Sequence, residues 1–211
     1  MEKQVIVSPE ELYVLGKLLD AQYIDYAYVA MVKDIGKSKV LFEKESIDSL
    51  VSKDLLEEDF SGNVVPKDET VDLFKPVFFE YLESALDICS LKDPKKIETT
   101  KFHFFDKHIT MVKGNEDGML EVESVELKDL ETIISSLVAS EAGDETADAF
   151  DKDDISRVIV AKSKRFSKGS IVSTYIESNN QIFKEDENGT PNRLKADEFK
   201  IDIAKVLVGV M

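Results

Sequence analysis

A chain of 211 residues with 43% hydrophobic content, nine glycines and five prolines can bury one sizeable core or two smaller ones, and it lacks the composition of a disordered chain. Its formal charge of −16 at pH 7 is the wrong sign for non-specific nucleic-acid binding or for an anionic membrane surface, both of which rest on Lys and Arg. Cys89 is the single cysteine, so no internal disulfide can form; Met1–Val5 has no charged-then-apolar leader and no apolar run approaches the ~18 residues of a membrane span, so the chain reads as cytoplasmic, without membrane insertion.

Ser8-Pro9-Glu10-Glu11 predicts a helix start, with Ser8 as cap, Pro9 at the first helical position and Glu11 completing a capping box. Leu12, Leu15, Leu18 and Leu19 then form an apolar stripe at helical spacing. A second helical run is expected over Tyr23–Val32, carrying Tyr23, Tyr26, Tyr28, Val29 and Met31. Gly36-Lys37-Ser38-Lys39 invites a phosphate-loop reading, but Met31 stands where the first glycine must be and no strand precedes it. Ser46 is expected to cap a further helix with Ile47, Leu50, Val51 and Leu55 towards one face. Lys53–Val65 reads as a helix end, a tight turn at Ser61-Gly62-Asn63 and a short extended piece. Helix, helix and turned strand in this order suggest a winged-helix-like N-terminal part. Asp48, Asp54, Glu57, Glu58 and Asp59 give its candidate recognition helix the wrong sign to meet phosphates.

Asp68 is expected to cap the next helix, with Val71, Phe74, Val77/Phe78 and Tyr81/Leu82 at three-to-four spacing and Pro76 expected to kink or interrupt it. Leu86–Leu91 reads as its continuation, since no breaker precedes it, although Leu86 and Ile88 also alternate like a strand. Asp93-Pro94-Lys95-Lys96 is a turn.

From there the sequence repeats itself. In Phe102–Val138 two apolar-rich runs precede the tip Lys113-Gly114-Asn115-Glu116-Asp117-Gly118, and a third run leads into a helix from Leu127. Thr174–Val210 repeats the plan around the tip Lys184-Glu185-Asp186-Glu187-Asn188-Gly189, 71 positions on, with a helix from Ala196. One inserted residue places Leu127, Ile134 and Val138 on Phe199, Val206 and Val210. The expected class is α+β with two pseudo-symmetric halves: residues 1–140 as a helical bundle plus the first strand-hairpin-helix unit, 157–211 as the second, and the acid-rich 141–156 as connection with a short helix around Ala147–Phe150. Arg157–Lys164 is a strand whose Val158 and Val160 share a face. Arg157, Lys162, Lys164, Arg165 and Lys168 form the densest basic cluster, read either as a solvated hairpin or as a contact for an acidic partner.

The two tips do not pass as calcium loops. With Gly118 or Gly189 as sixth residue, Lys113 or Lys184 falls at the first position and Ser124 or Lys195 at the twelfth, so both essential acids are missing. Asp117-Gly118 and Asn188-Gly189 match tight hairpin turns instead. His103 and His108, the only histidines, have no Cys/His set to complete a zinc site and read as satisfied or solvent-facing sheet residues; Cys89 reads as core. No nucleophile-elbow, zinc-helix or dinucleotide motif occurs, so neither cofactor nor metal is expected. The candidate partner contacts are the turn Asp106, Lys107, His108 and the tip Gly114, Asn115, Glu116, Asp117, since loops on a rigid sheet commonly carry contacts.

The order of elements resembles the EspG-like cytoplasmic chaperones and accessory proteins of type VII (ESX) secretion, including shorter relatives in Gram-positive bacteria. The resemblance rests on Glu11-Leu12-x-x-Leu15, Ile47-x-x-Leu50, Leu55-Leu56, the turn at Gly62, the long helix from Asp68, and halves that each end in strands and a helix, Leu127-x-x-Leu130 and, less closely, Phe199-x-Ile201. It implies a central antiparallel sheet flanked by helices, no enzymatic activity, and cytosolic binding of secreted helical-hairpin proteins that keeps them export-competent. The alternatives from other classes are an acidic winged-helix-like regulator and an enzyme without a recognisable motif.

Overall fold

The computed structural model describes residues 4–32, 39–79, 85–93, 96–137, 150–165 and 169–207. The chain runs β1 (Gln4–Val7), α1 (Pro9–Leu18), α2 (Tyr26–Val29), α3 (Lys39–Ser52), β2 (Leu56–Glu58), β3 (Val64–Pro66) and α4 (Asp68–Phe79). Four strands follow, β4 (Leu86–Asp93), β5 (Lys96–Phe105), β6 (His108–Gly114) and β7 (Leu120–Val125), and then α5 (Leu127–Leu137). The remainder is β8 (Ile155–Arg165), β9 (Gly169–Ser178), β10 (Gln181–Glu185), β11 (Pro191–Leu194) and α6 (Ala196–Leu207). The class is α+β with a large antiparallel sheet, as expected. Its strands are hydrogen-bonded in the order β1-β7-β6-β5-β4-β8-β9-β10-β11, while β2 and β3 form a separate hairpin. Two compact units divide the chain: residues 1–84 with 103–124, and residues 85–102 with 125–211.

In the first unit α1 is the hub, packing on α2, α3, β1 and β3. Its start follows the predicted chemistry. Ser8 Oγ accepts from the Glu11 N–H at 3.1 Å and Glu11 Oε2 accepts from the Ser8 N–H at 2.6 Å, a complete capping box behind Pro9. Leu12 and Leu15 are fully buried and join Phe42 and Leu50 of α3, Phe74 and Phe78 of α4, and Val112, Leu120 and Val122 of the strands. Each such side chain contributes about 1.5–3 kcal/mol on burial. Gly16 leaves room for its neighbours: a Cβ there would meet Ile24 Cδ1 at 2.7 Å and Phe78 Cε1 at 3.1 Å.

Several expectations are corrected here. The helix over Tyr23–Val32 shrinks to the four residues of α2, because Asp25 caps at that point and accepts from the Ala27 N–H at 2.9 Å. Ser46 is no cap: α3 begins at Lys39, and Ser46 is buried between Phe42 and Leu50 on the core-facing i, i+4, i+8 row. α4 runs through Pro76 without interruption; the C=O of Leu73, in the turn that precedes the proline, accepts from the buried Thr110 Oγ1 at 2.7 Å. The Gly36–Ser38 stretch and the Pro94-Lys95 turn lie outside the described residues.

In the second unit Leu86–Leu91 is not the end of a helix but belongs to β4, paired with β5 on one side and β8 on the other. The alternation of Leu86 and Ile88, both buried, with Asp87 and Cys89, both half-buried, therefore outweighs the helical spacing. α6 packs on β8 and β9, with Phe199 edge-on to Tyr175 at 5.0 Å. The two terminal helices also correct the repeat alignment. Leu127 is exposed whereas Phe199 is buried, so that pair does not share a core position, while Ile134 and Val206 are both buried. Val138, Val210 and residues 147–149 of the expected short helix lie outside the described residues, and Phe150 is not helical.

Candidate partner-binding surface

The turn and the tip singled out from sequence both belong to β6, one at each end. Asp106 and Lys107 close the β5–β6 connection, with Asp106 in the left-handed region at φ 55, and they and His108 are exposed. Gly114 ends β6 and is half-buried, as is Asn115, while Glu116 and Asp117 are exposed. The seven residues of β6 separate the two groups by roughly 20 Å. The fold therefore makes two small patches of these residues, not one.

The tip is built around Asn115. Its Oδ1 accepts from the N–H groups of Asp117 and Met119 at 3.0 and 2.9 Å, while the backbone closes from the Met119 C=O to the Asn115 N–H and from the Asn115 C=O to the Gly118 N–H. Gly118 alone takes the left-handed conformation the turn requires, at φ 75. The second tip repeats this geometry bond for bond around Asp186, with Gly189 at φ 76. The β2–β3 hairpin repeats it a third time around Asp59, with Gly62 at φ 80. The signal was present in the sequence as Asx-x-x-Gly at Asp59, Asn115 and Asp186, and only two of the three copies fall in the long repeat. Backbone N–H donors hold two of these carboxyls below the ordinary carboxylate range: those of Thr190 and then Asn188 for Asp186, and that of Asn63 first for Asp59. Among the described residues no group of three or more His, Cys, Asp or Glu side chains could hold a metal ion.

The two histidines part company. His103 is buried, with Nε2 2.7 Å from the Tyr28 hydroxyl, whereas His108 is exposed. Cys89 is half-buried rather than enclosed, its Sγ 3.3 Å from Thr99 Oγ1. The basic cluster is not a single patch. Arg157 and Lys162 point to opposite faces of β8, since side chains alternate along a strand. Arg157 pairs with the buried Glu177 at 3.3 Å, and Lys162 reaches Asp87 Oδ2 at 3.1 Å. Lys101 meets the other oxygen of Asp87 at 3.3 Å, so strands on both sides of β4 send an ammonium to one carboxylate.

Reading single residues along the chain missed one further network. Asp202 of α6 accepts from Tyr175 Oη at 2.8 Å and from Lys184 Nζ at 2.5 Å, tying the last helix to β9 and β10. No helix among the described residues is long and apolar enough to cross a membrane.

No protein-family model and no curated protein matches the chain by sequence. Among solved structures the chain resembles the Mycobacterium tuberculosis type VII secretion system chaperone EspG5, determined in complex with a PE25–PPE41 dimer. The match has a TM-score of 0.59 and 7% identity, and it covers 99% of this chain and 97% of the other. The fold is EspG-like; at that identity the likeness is one of fold alone.

Proposed function

We propose that this chain is a chaperone or adaptor that binds secreted helical-hairpin proteins of a type VII system and keeps them competent for export. The observation that carries the reading is the near end-to-end fold likeness to EspG5, a chaperone whose structure was solved with a PE25–PPE41 dimer bound. The acidic charge and the exposed rigid turns support it: such surfaces suit recognition by polar and apolar contact, without covalent chemistry. In this reading the protein is not an enzyme, works in the cytoplasm, needs no cofactor or metal, and contacts its partner through Asp106, Lys107 and His108 at one end of β6 and through Gly114, Asn115, Glu116 and Asp117 at the other.

Co-expression with the small helical-hairpin secreted proteins of the same cell, followed by purification at low salt, tests the proposal. A stoichiometric complex with at least one is expected. Recovery of the chain alone in every case rules the function out. Lys107→Glu and Glu116→Lys then test the contacts separately. Because the two patches are roughly 20 Å apart, each variant should weaken the complex independently of the other.

A further inference from the structure

We infer that Phe60, at the tip of the β2–β3 hairpin, is an aromatic anchor that enters an apolar pocket rimmed by basic groups on the protein partner. The inference rests on the binding role proposed above and adds a contact to it. Phe60 is as open to solvent as an isolated residue, at 114% relative exposure, so no part of the described chain covers it. A single exposed apolar side chain is ordinary; this one is set apart by an internal comparison. The same turn closes three hairpins in this chain, and the position after the Asx hub is Glu116 in one, Glu187 in another and Phe60 here. Both glutamates are exposed. The turn geometry accepts an exposed acid twice, so it does not ask for an aromatic ring.

The presentation is rigid. Leu56 pairs with Pro66, Glu57 with Val65 and Glu58 with Val64. Asp59 Oδ1 accepts from the N–H groups of Ser61 and Asn63, both at 2.8 Å, and Asp59 Oδ2 accepts from Asn63 Nδ2 at 3.1 Å. The base of the hairpin is fixed to the core of its unit by the buried Leu55 and Leu56 and by two bonds to the Leu55 carbonyl, from the Lys67 N–H and from Thr70 Oγ1. A ring held out on such a support loses little freedom on docking, the condition under which aromatic residues become hot spots.

Charge decides the partner. The hairpin from Leu56 to Pro66 carries Glu57, Glu58 and Asp59 and no Lys or Arg, and both glutamates are exposed. That ring of acid is repelled by anionic lipid headgroups and attracted by Lys and Arg around a protein pocket.

The chain has no tryptophan, so Phe60→Trp introduces a single fluorescent reporter. The probes are purified helical-hairpin secreted proteins of the same cell and, separately, neutral phosphatidylcholine vesicles. On complex formation the Phe60→Trp emission should move to the blue, Phe60→Ser should weaken affinity by at least about tenfold, and Phe60→Leu should lose less. A complex that forms with unshifted emission, or with unchanged affinity in Phe60→Ser, overturns the inference and leaves the binding role standing. Absence of any complex with the unsubstituted chain removes the binding role and this inference with it. A blue shift on vesicles alone overturns it in favour of lipid.

Discussion

The Tyr28 hydroxyl and His103 Nε2 lie 2.7 Å apart inside the first unit, joining residues 75 positions apart in the chain. Both side chains are buried, their rings 5.8 Å apart at 43°. The bond pins the four-residue α2, too short to be stable by itself, to β5. Tyr28→Phe keeps the ring and removes the hydroxyl. It should cost about 1–2 kcal/mol in urea unfolding, because a buried imidazole nitrogen loses its partner. A change within about 0.3 kcal/mol would mean that the pair contributes nothing to stability.

Asp202 gives the second unit an acid-sensitive clasp. Desolvation pushes its pKa up, but hydrogen bonds from Lys184 and Tyr175, aided by the Lys184 charge, outweigh it and hold the value below the ordinary 3.8. A carboxyl depressed in the folded state stabilises fully above its unfolded pKa, and that stability is lost as pH falls through the folded value. Asp202→Asn should therefore be less stable at neutral pH and lose less on acidification below about pH 4. Tyr175 moves the other way. Burial first, and then the bond to Asp202, push its pKa up from 10.0, so its contribution is present below pH 10 and is lost as pH rises beyond it. Tyr175→Phe should flatten that alkaline decline. Identical acid profiles for Asp202→Asn and the unsubstituted protein would show that the clasp does not form.

What could be read from the chain was what depends on near neighbours. The capping box at Ser8 and Glu11 and the turn glycines at Gly62, Gly118 and Gly189 follow from residues within a few positions of each other. Two corrected expectations turn on packing that the local pattern does not decide. Leu86–Leu91 has both helical and alternating spacing, and only pairing with β5 and β8 selects the second. Ser46 has a cap's chemistry, yet it lies inside α3 because Phe42 and Leu50 already face the core on the same row. At the candidate surface the individual turns were legible, but the distance between them was not, since it is set by the length of β6. Phe60 carries no local pattern of its own; it stands out only when the three turns are superimposed.

The glycines separate turn chemistry from space. No heavy atom lies within 4 Å of a Cβ built on Gly114 or on Gly189, but only Gly189 has positive φ. Gly189→Ala should cost about 1 kcal/mol, because an L-residue in the left-handed region brings its Cβ against the backbone. Gly114→Ala meets neither obstacle and should be neutral, or stabilise by at most about 1 kcal/mol through the unfolded chain. Urea midpoints measured side by side decide it. Equal destabilisation by both would show that crowding, and not φ, governs the tips.

Asp87 pairs with both Lys101 and Lys162, with side-chain exposures of 17% for the aspartate, 15% for Lys101 and 24% for Lys162. Replacing it with Asn keeps the shape and leaves two partly desolvated ammonium groups near each other on adjoining strands. The cost should reach about 2 kcal/mol, between the value for an exposed pair and the loss seen when a fully buried pair is broken. Part of that cost is repulsion, so added salt should recover some of it. Lys101→Met in the same background removes one of the two charges and should recover more. If Asp87→Asn were destabilised equally at low and high salt, and Lys101→Met gave no recovery, the loss would lie in packing and the electrostatic account of this cluster would fail.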